Sequence, residues 1–202
     1  MIKNIIFDVG KVLVEYEPEE YMKRLGFDSK QRAAVNEAMF EHALWEESDR
    51  GALSIEELLR GFIQNNPRYE AEITRAYMNV GDTVTMMPYS LSWIKSLKER
   101  GYRLYILSNY AELTYEQTKE KMLFLNEMNG EVFSFQCKFI KPEAEIYEYL
   151  CDKYSLVPQE SVFLDDRLEN IKQAEMMGIH GIQFKNYEEA AKELEELLEN
   201  II

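Results

Sequence analysis

The chain is predicted to be an α/β protein, a doubly wound parallel sheet with a small all-helical unit inserted after the first strand. Three observations carry that expectation. Short apolar runs alternate with longer amphipathic stretches, as strands alternate with crossover helices. The runs are nearly continuous in Ile, Val, Leu and Phe, as expected of strands covered on both faces. One stretch, residues 18–88, breaks the rhythm with helical periodicity and no convincing strand.

In chain order, Ile2 to Phe7 reads as a buried strand ending at Asp8. Arg103 to Leu107 reads as a second, ending at Ser108, Ser161 to Leu164 as a third, ending at Asp165 and Asp166, and Gly181 to Phe184 as a fourth. A weaker strand is expected near Val132 to Gln136. Between them, helices are expected over Tyr89–Arg100, Leu113 to about Met128, Glu143–Tyr154 and Leu168–Met177, closed by Gly101, Gly130 and Gly178 or entered through Pro142. Inside the insertion, Ser29–Glu47, Ser54–Asn65 and Arg68–Asn79 read as helices. The tail, Tyr187 to Ile202, places Ala190, Leu194, Leu198 and Ile201 on one face and glutamates on the other, an amphipathic helix that closes the core. The core domain is thus assigned to residues 1–17 and 88–202, and the helical unit to residues 18–87.

Composition narrows the function classes. With 202 residues there is chain for one core plus an insertion. The 23 Lys and Arg against 37 Asp and Glu give a net charge of −14, which repels nucleic-acid backbones and anionic membranes, so neither is expected as a partner. Cys137 and Cys151 have no zinc-site spacing, and no apolar window approaches the about 18 residues of a membrane span or resembles a leader, so a cytoplasmic protein with reduced thiols is expected. Two histidines, His42 and His180, are too few for a histidine metal cluster, and neither lies near a nucleophile motif.

In a doubly wound sheet, ligands bind at the carboxyl ends of the strands. The polar residues there are Asp8, Ser108 with Asn109, and Asp165 with Asp166, joined by Lys141 at the loop-to-helix junction. Singly, an acid after a strand reads as a helix cap and a lysine before a helix as a solvated charge. Together they supply a carboxylate nucleophile, an acidic pair able to hold a hard divalent cation, a hydroxyl and a cation. That set suits phosphoryl transfer through an aspartyl phosphate, with Ser108 Oγ, the Asn109 amide and Lys141 facing the phosphoryl oxygens.

The motifs Phe7-Asp8-Val9-Gly10-Lys11-Val12-Leu13, Leu107-Ser108-Asn109, Lys141-Pro142-Glu143 and Phe163-Leu164-Asp165-Asp166-Arg167 resemble, in order and spacing, the four motifs of the haloacid dehalogenase superfamily of phosphatases. The insertion resembles that superfamily's helical cap. Gly10, the following Val-Leu-Val, and the cap segments Trp45-Glu46-Glu47 and Arg50-Gly51-Ala52-Leu53-Ser54 look most like the bacterial phosphatases of α-D-glucose 1-phosphate. The resemblance implies Asp8 as nucleophile and metal ligand, Asp166 as second carboxylate ligand, Asp165 assisting directly or through water, the Gly10 carbonyl as a further ligand, and Mg²⁺ as cofactor. It implies catalytic roles for Ser108 and Lys141, a small phosphorylated metabolite as partner, and a monomer or homodimer. Cap residues Trp45, Glu47, Tyr16 and His42, with Tyr110 from the core, are candidates for selecting the substrate, or else simply cap packing.

Gly10 departs from the superfamily's usual second Asp, which protonates the leaving oxygen and later activates water. Its loss favours a good leaving group, hence an anomeric phosphate such as glucose 1-phosphate, unless a cap residue such as Glu47 supplies the proton. Two other readings share these residues: a catalytically silent binding protein, and a metal-free haloacid dehalogenase. Against the latter, Asp165-Asp166 would repel both a carboxylate substrate and the nucleophile.

Overall fold

The structure, a computed structural model, describes residues 1–199. The chain begins with β1 (Asn4–Phe7), all four residues buried, and turns through Val9–Val14 into a short strand β2 (Val14–Tyr16). Helices α1 (Pro18–Arg24), α2 (Ser29–Val35), α3 (Leu44–Arg50), α4 (Ile55–Asn65) and α5 (Glu70–Met78) follow. β3 (Val84–Met86) then pairs antiparallel with β2, Val14 opposite Met86. After α6 (Ser90–Glu99) come β4 (Arg103–Ser108), α7 (Glu112–Thr118), β5 (Gly130–Phe133), α8 (Ser134–Cys137) and α9 (Ala144–Tyr154). The chain then runs through β6 (Ser161–Asp165), α10 (Leu168–Met176), β7 (His180–Gln183) and α11 (Tyr187–Glu199). Among the described residues, no helix is long and apolar enough to cross a membrane.

The main sheet has the order β5-β4-β1-β6-β7, with every pairing parallel and β1 at its centre. Successive side chains of a strand point to opposite faces, and the two faces here build two cores. Ile5, Phe7, Leu104, Ile106, Val162 and Leu164 pack with Trp93, Ile94 and Leu97 of α6 and Leu194 and Leu198 of α11. Ile6, Tyr105, Leu107 and Phe163 pack on the other face with Ile146, Tyr147 and Leu150 of α9 and Ile171 and Ala174 of α10. Burial on both faces is why these strands read as continuous apolar runs.

The insertion has its own apolar cluster, in which Phe62 of α4 and Tyr77 of α5 stack edge to face at 5.2 Å over Met22, Val35 and Ile73. Local chemistry fixes the starts of two of its helices, α2 and α4. Asp28 and Ser54 both form capping boxes, with Gln31 and Glu57 returning the hydrogen bond three residues on.

Several boundaries differ from the sequence expectation. The helix expected over Ser29–Glu47 is split by a π-helical turn at Asn36–Phe40, after which α3 starts afresh at Leu44. The stretch expected to hold no strand contains β3, whose partner β2 is distant in sequence and leaves no local signal. The helix expected from Leu113 to Met128 stops at Thr118, and the chain turns so that Met122 and Phe124 enter the core from a 3₁₀ turn. The weak strand near Val132 is Gly130–Phe133, and the residues placed at its end, Ser134 to Gln136, lie in the short helix α8. The tail helix is observed to Glu199; the expectation at Ile201 lies outside the described residues.

Candidate active site

Strands β1, β4 and β6 end side by side; Asp8 follows β1, Ser108 and Asp165 close β4 and β6, and the loop between α8 and α9 brings Lys141 to them in one buried cluster. Lys141 Nζ lies 2.9 Å from Asp8 Oδ1 and 2.6 Å from Asp165 Oδ2. Ser108 Oγ donates to the same Asp8 oxygen at 2.7 Å. The Asn109 side chain grips the main chain of Lys141 on both sides, donating from Nδ2 to its carbonyl at 3.0 Å and accepting its amide at 2.7 Å. That clamp sets where the lysine stem enters the site.

Asp165 is saturated. Its Oδ1 accepts from the Arg167 amide and Asn170 Nδ2, and its Oδ2 from Lys141 and Asn170. It orients Lys141 and offers no free oxygen. Among the described residues, the half-buried Asp166 carboxylate meets only Lys11 Nζ, at 3.8 Å, so it is available.

Electrostatics follow from burial. Desolvation pushes the Asp8 carboxyl up to about 6, against the opposing pull of Lys141. Desolvation, then the neighbouring Asp165, also raises Asp166. Burial alone would lower Lys141, but Asp165 and Asp8 outweigh it and hold the ammonium above its ordinary value. Asp8 and Asp165 thus share one buried ammonium.

Oxygen atoms of Asp8, Asp165 and Asp166 lie within 4.8 Å of one another, a spacing that suits one ion. With Asp165 saturated, the donors left are carboxylates of Asp8 and Asp166, joined by the Gly10 carbonyl, on which no backbone hydrogen bond ends among the described residues. This all-oxygen set fits a hard cation such as Mg²⁺.

The cluster floors a cavity of about 450 Å³, in the range of small-molecule sites, roofed by the insertion. Its walls include Tyr16, Phe40, Trp45, Asp49 and Tyr110. Trp45 packs on Phe40 at 5.0 Å while facing the cavity, so it belongs both to the apolar cluster of the insertion and to the cavity wall. Tyr110 commits its hydroxyl to Thr118 at 3.0 Å and presents only its body. His42 reaches the cavity but accepts the Leu44 amide on Nδ1 at 3.2 Å. Glu47 does not line the cavity; it turns to Arg50 at 3.7 Å. Asp49 does line it, and sequence reasoning passed it over although it lies one helical turn from Trp45, on the same face.

The haloacid dehalogenase-like hydrolase family matches residues 2–178. The chain is 25% identical over 210 residues to D-ribitol-5-phosphate phosphatase of Bacteroides thetaiotaomicron, covering 98% of this chain and 99% of that protein. It is 22% identical over 200 residues to the sesquiterpene phosphatase astK of Aspergillus oryzae, covering 97% and 96%. Among solved structures it resembles a haloacid dehalogenase family enzyme from Bacteroides thetaiotaomicron in complex with magnesium and inorganic phosphate, with a TM-score of 0.73 and 23% identity over 92% of this chain and 95% of that one. Three strand-end motifs, a buried lysine from the loop before α9 and a match over residues 2–178 converge: the chain belongs to the haloacid dehalogenase-like hydrolase family.

Proposed function

We propose that the chain is a Mg²⁺-dependent phosphomonoesterase of a small sugar or polyol phosphate, working through a phosphoryl group carried on Asp8. The observation that carries this is the buried Asp8–Lys141–Asp165 chain beside an Asp166 carboxylate that, among the described residues, is paired only at 3.8 Å with Lys11. When bound between Asp8, Asp166 and the Gly10 carbonyl, Mg²⁺ offsets the repulsion between nucleophile and phosphoryl group. Ser108 and Lys141 hold Asp8 Oδ1, so the carboxylate is oriented before substrate arrives. Asp8 attacks phosphorus, the ester oxygen leaves, and Lys141 and Ser108 face the phosphoryl oxygens throughout. Water then releases phosphate and regenerates Asp8.

The cap, residues 18–87, supplies part of the substrate-selecting wall through Trp45, and Tyr16 of β2 supplies the part beside it; the Tyr16 hydroxyl has no hydrogen-bond partner among the described residues. A polyol-phosphate phosphatase and a structural neighbour crystallised with magnesium and phosphate support the substrate class and the metal. Within that class, glucose 1-phosphate and ribitol 5-phosphate are the esters to compare first.

The test is phosphate release from a panel of sugar and polyol phosphates, with Mg²⁺ and with excess chelator, beside chloride release from L-2-chloropropionate. Metal-dependent hydrolysis of at least one ester is expected, with no chloride. Chloride release, or ester hydrolysis that chelation leaves unchanged, would sink the reading.

A further inference from the structure

An ester oxygen that leaves as an alkoxide must be protonated, and Gly10 carries no group to do it. The candidate carboxylates in the cavity can be sorted by what already occupies them. Asp165 is saturated, Asp8 is the nucleophile, and Asp166 lies on the metal side. Glu41 and Glu46 are exposed at the rim, and Glu47 faces away toward Arg50. Asp49 remains. Its carboxylate faces the cavity opposite Asp8 and Lys141 and makes no hydrogen bond or ion pair with any described residue.

We propose that Asp49, on the helical insertion, is the general acid and then the general base of this site. The assignment rests on the phosphomonoesterase reading and completes it.

The helix that carries Asp49 is pinned to the catalytic core at that very turn. Ser134 Oγ donates to the Asp49 carbonyl at 2.5 Å. Arg50 forms a two-pronged pair with Glu143 at 2.7 and 2.9 Å, and Glu143 in turn accepts the Ile140 amide beside Lys141. Lys138 Nζ donates to the Gly51 carbonyl at 2.5 Å. Gly51 ends α3 in the left-handed region at φ 65°, where a Cβ would lie 2.9 Å from the Phe135 backbone. Only glycine lets the two chains approach this closely. The side chain of Asp49 is therefore held over the cavity rather than swept through it.

Its surroundings suit proton exchange near neutrality. Desolvation pushes the Asp49 carboxyl up to about 7, aided by the charges of Asp8 and Glu46 and opposed by Lys141 and Arg167. Tyr16 from β2 and Tyr110 from the core complete the groups that face it. In the first step an Asp8 oxygen forms a bond to phosphorus, the phosphorus–ester oxygen bond breaks, and the departing oxygen takes the Asp49 proton to leave as an alcohol. In the second, a water oxygen bonds to phosphorus, the Asp8–phosphorus bond breaks, and Asp49 accepts the water's proton, which returns both carboxyl groups to their starting states.

The test uses substituted phenyl phosphates of graded phenol acidity, extended to ribitol 5-phosphate, with wild type, Asp49→Asn and Gly10→Asp. Wild type is expected to show a shallow dependence of kcat/KM on leaving-group acidity. Asp49→Asn should lose roughly 10²–10⁴-fold on the poorest leaving groups and less than about tenfold on 4-nitrophenyl phosphate, the range ascribed to general acid catalysis. A Cβ at Gly10 meets nothing within 4 Å, so the double variant Asp49→Asn/Gly10→Asp can place an acid in the same site and should recover the poor leaving groups selectively. Equal loss across the series, or none, overturns the assignment. So does a steep wild-type dependence that Gly10→Asp alone flattens, an outcome that reads out even if Asp49→Asn does not fold. A wild type inactive on every ester with Mg²⁺ overturns the phosphatase reading instead.

Discussion

Asp49 shows what a single residue can cost and supply at once. Its folded-state carboxyl titrates near 7, above the ordinary value of 3.8, because burial and the charge on Asp8 disfavour the anion. A group raised on folding contributes stability at low pH and loses it as pH climbs through the folded value. Asp49→Asn should therefore gain stability over wild type as pH rises from 5 to 7, by roughly 1–2 kcal/mol after discounting for partial exposure, with no further gain above pH 8. Urea unfolding at pH 5, 7 and 8 measures it; a gain that is flat across these values contradicts the environment described. Asp8, Ser108, Asn109, Lys141, Asp165 and Asp166 were legible in the sequence because strand ends in a parallel sheet converge at one edge. Asp49 was not, because its role depends on how the insertion docks. The only local hint was its four-residue spacing from Trp45, and the more conspicuous Glu47 points elsewhere.

At the scale of elements, the latch between α3 and the core decides where the roof of the cavity sits. The Arg50–Glu143 pair is partly exposed, with side chains 27% and 35% accessible, so Arg50→Ala should cost at most about 1 kcal/mol of global stability. If the pair positions Asp49, the same change should lower kcat/KM on alkyl esters by about tenfold or more, a larger effect than stability alone implies. Gly51→Ala should cost roughly 2 kcal/mol, since a left-handed residue and a contact with the Phe135 backbone are both strained. Paired unfolding and kinetic measurements test both; an Arg50→Ala enzyme with wild-type kinetics would remove the latch from the account. The short pair β2–β3 and the break of α7 at Thr118 belong to this scale and were invisible in the sequence. β2 and β3 are three residues each and stabilise one another across the insertion, while the break answers the core's demand for Met122 and Phe124. Neither has a period that a local window can detect.

Across the whole molecule, the sheet with helices on both faces was legible because burial on both sides writes long apolar runs, and the insertion because its helical periodicity interrupts the alternation of strand and helix. Docking the two units, by contrast, is a matter of long-range contacts such as Ser134 with Asp49 and Lys138 with Gly51. The result is a floor of charged groups under a roof in which Asp49, among the described residues, has no side-chain hydrogen bond or ion pair. The measurement that tests the central claim most directly is rapid quenching of wild type and Asp8→Asn during turnover of a phosphorus-labelled ester with Mg²⁺, followed by mapping of the labelled peptide. The account predicts a base-labile acyl phosphate on Asp8 in the wild type, and neither label nor turnover in Asp8→Asn. Label on another residue, or sustained turnover by the Asn variant after deamidation is excluded, would contradict it.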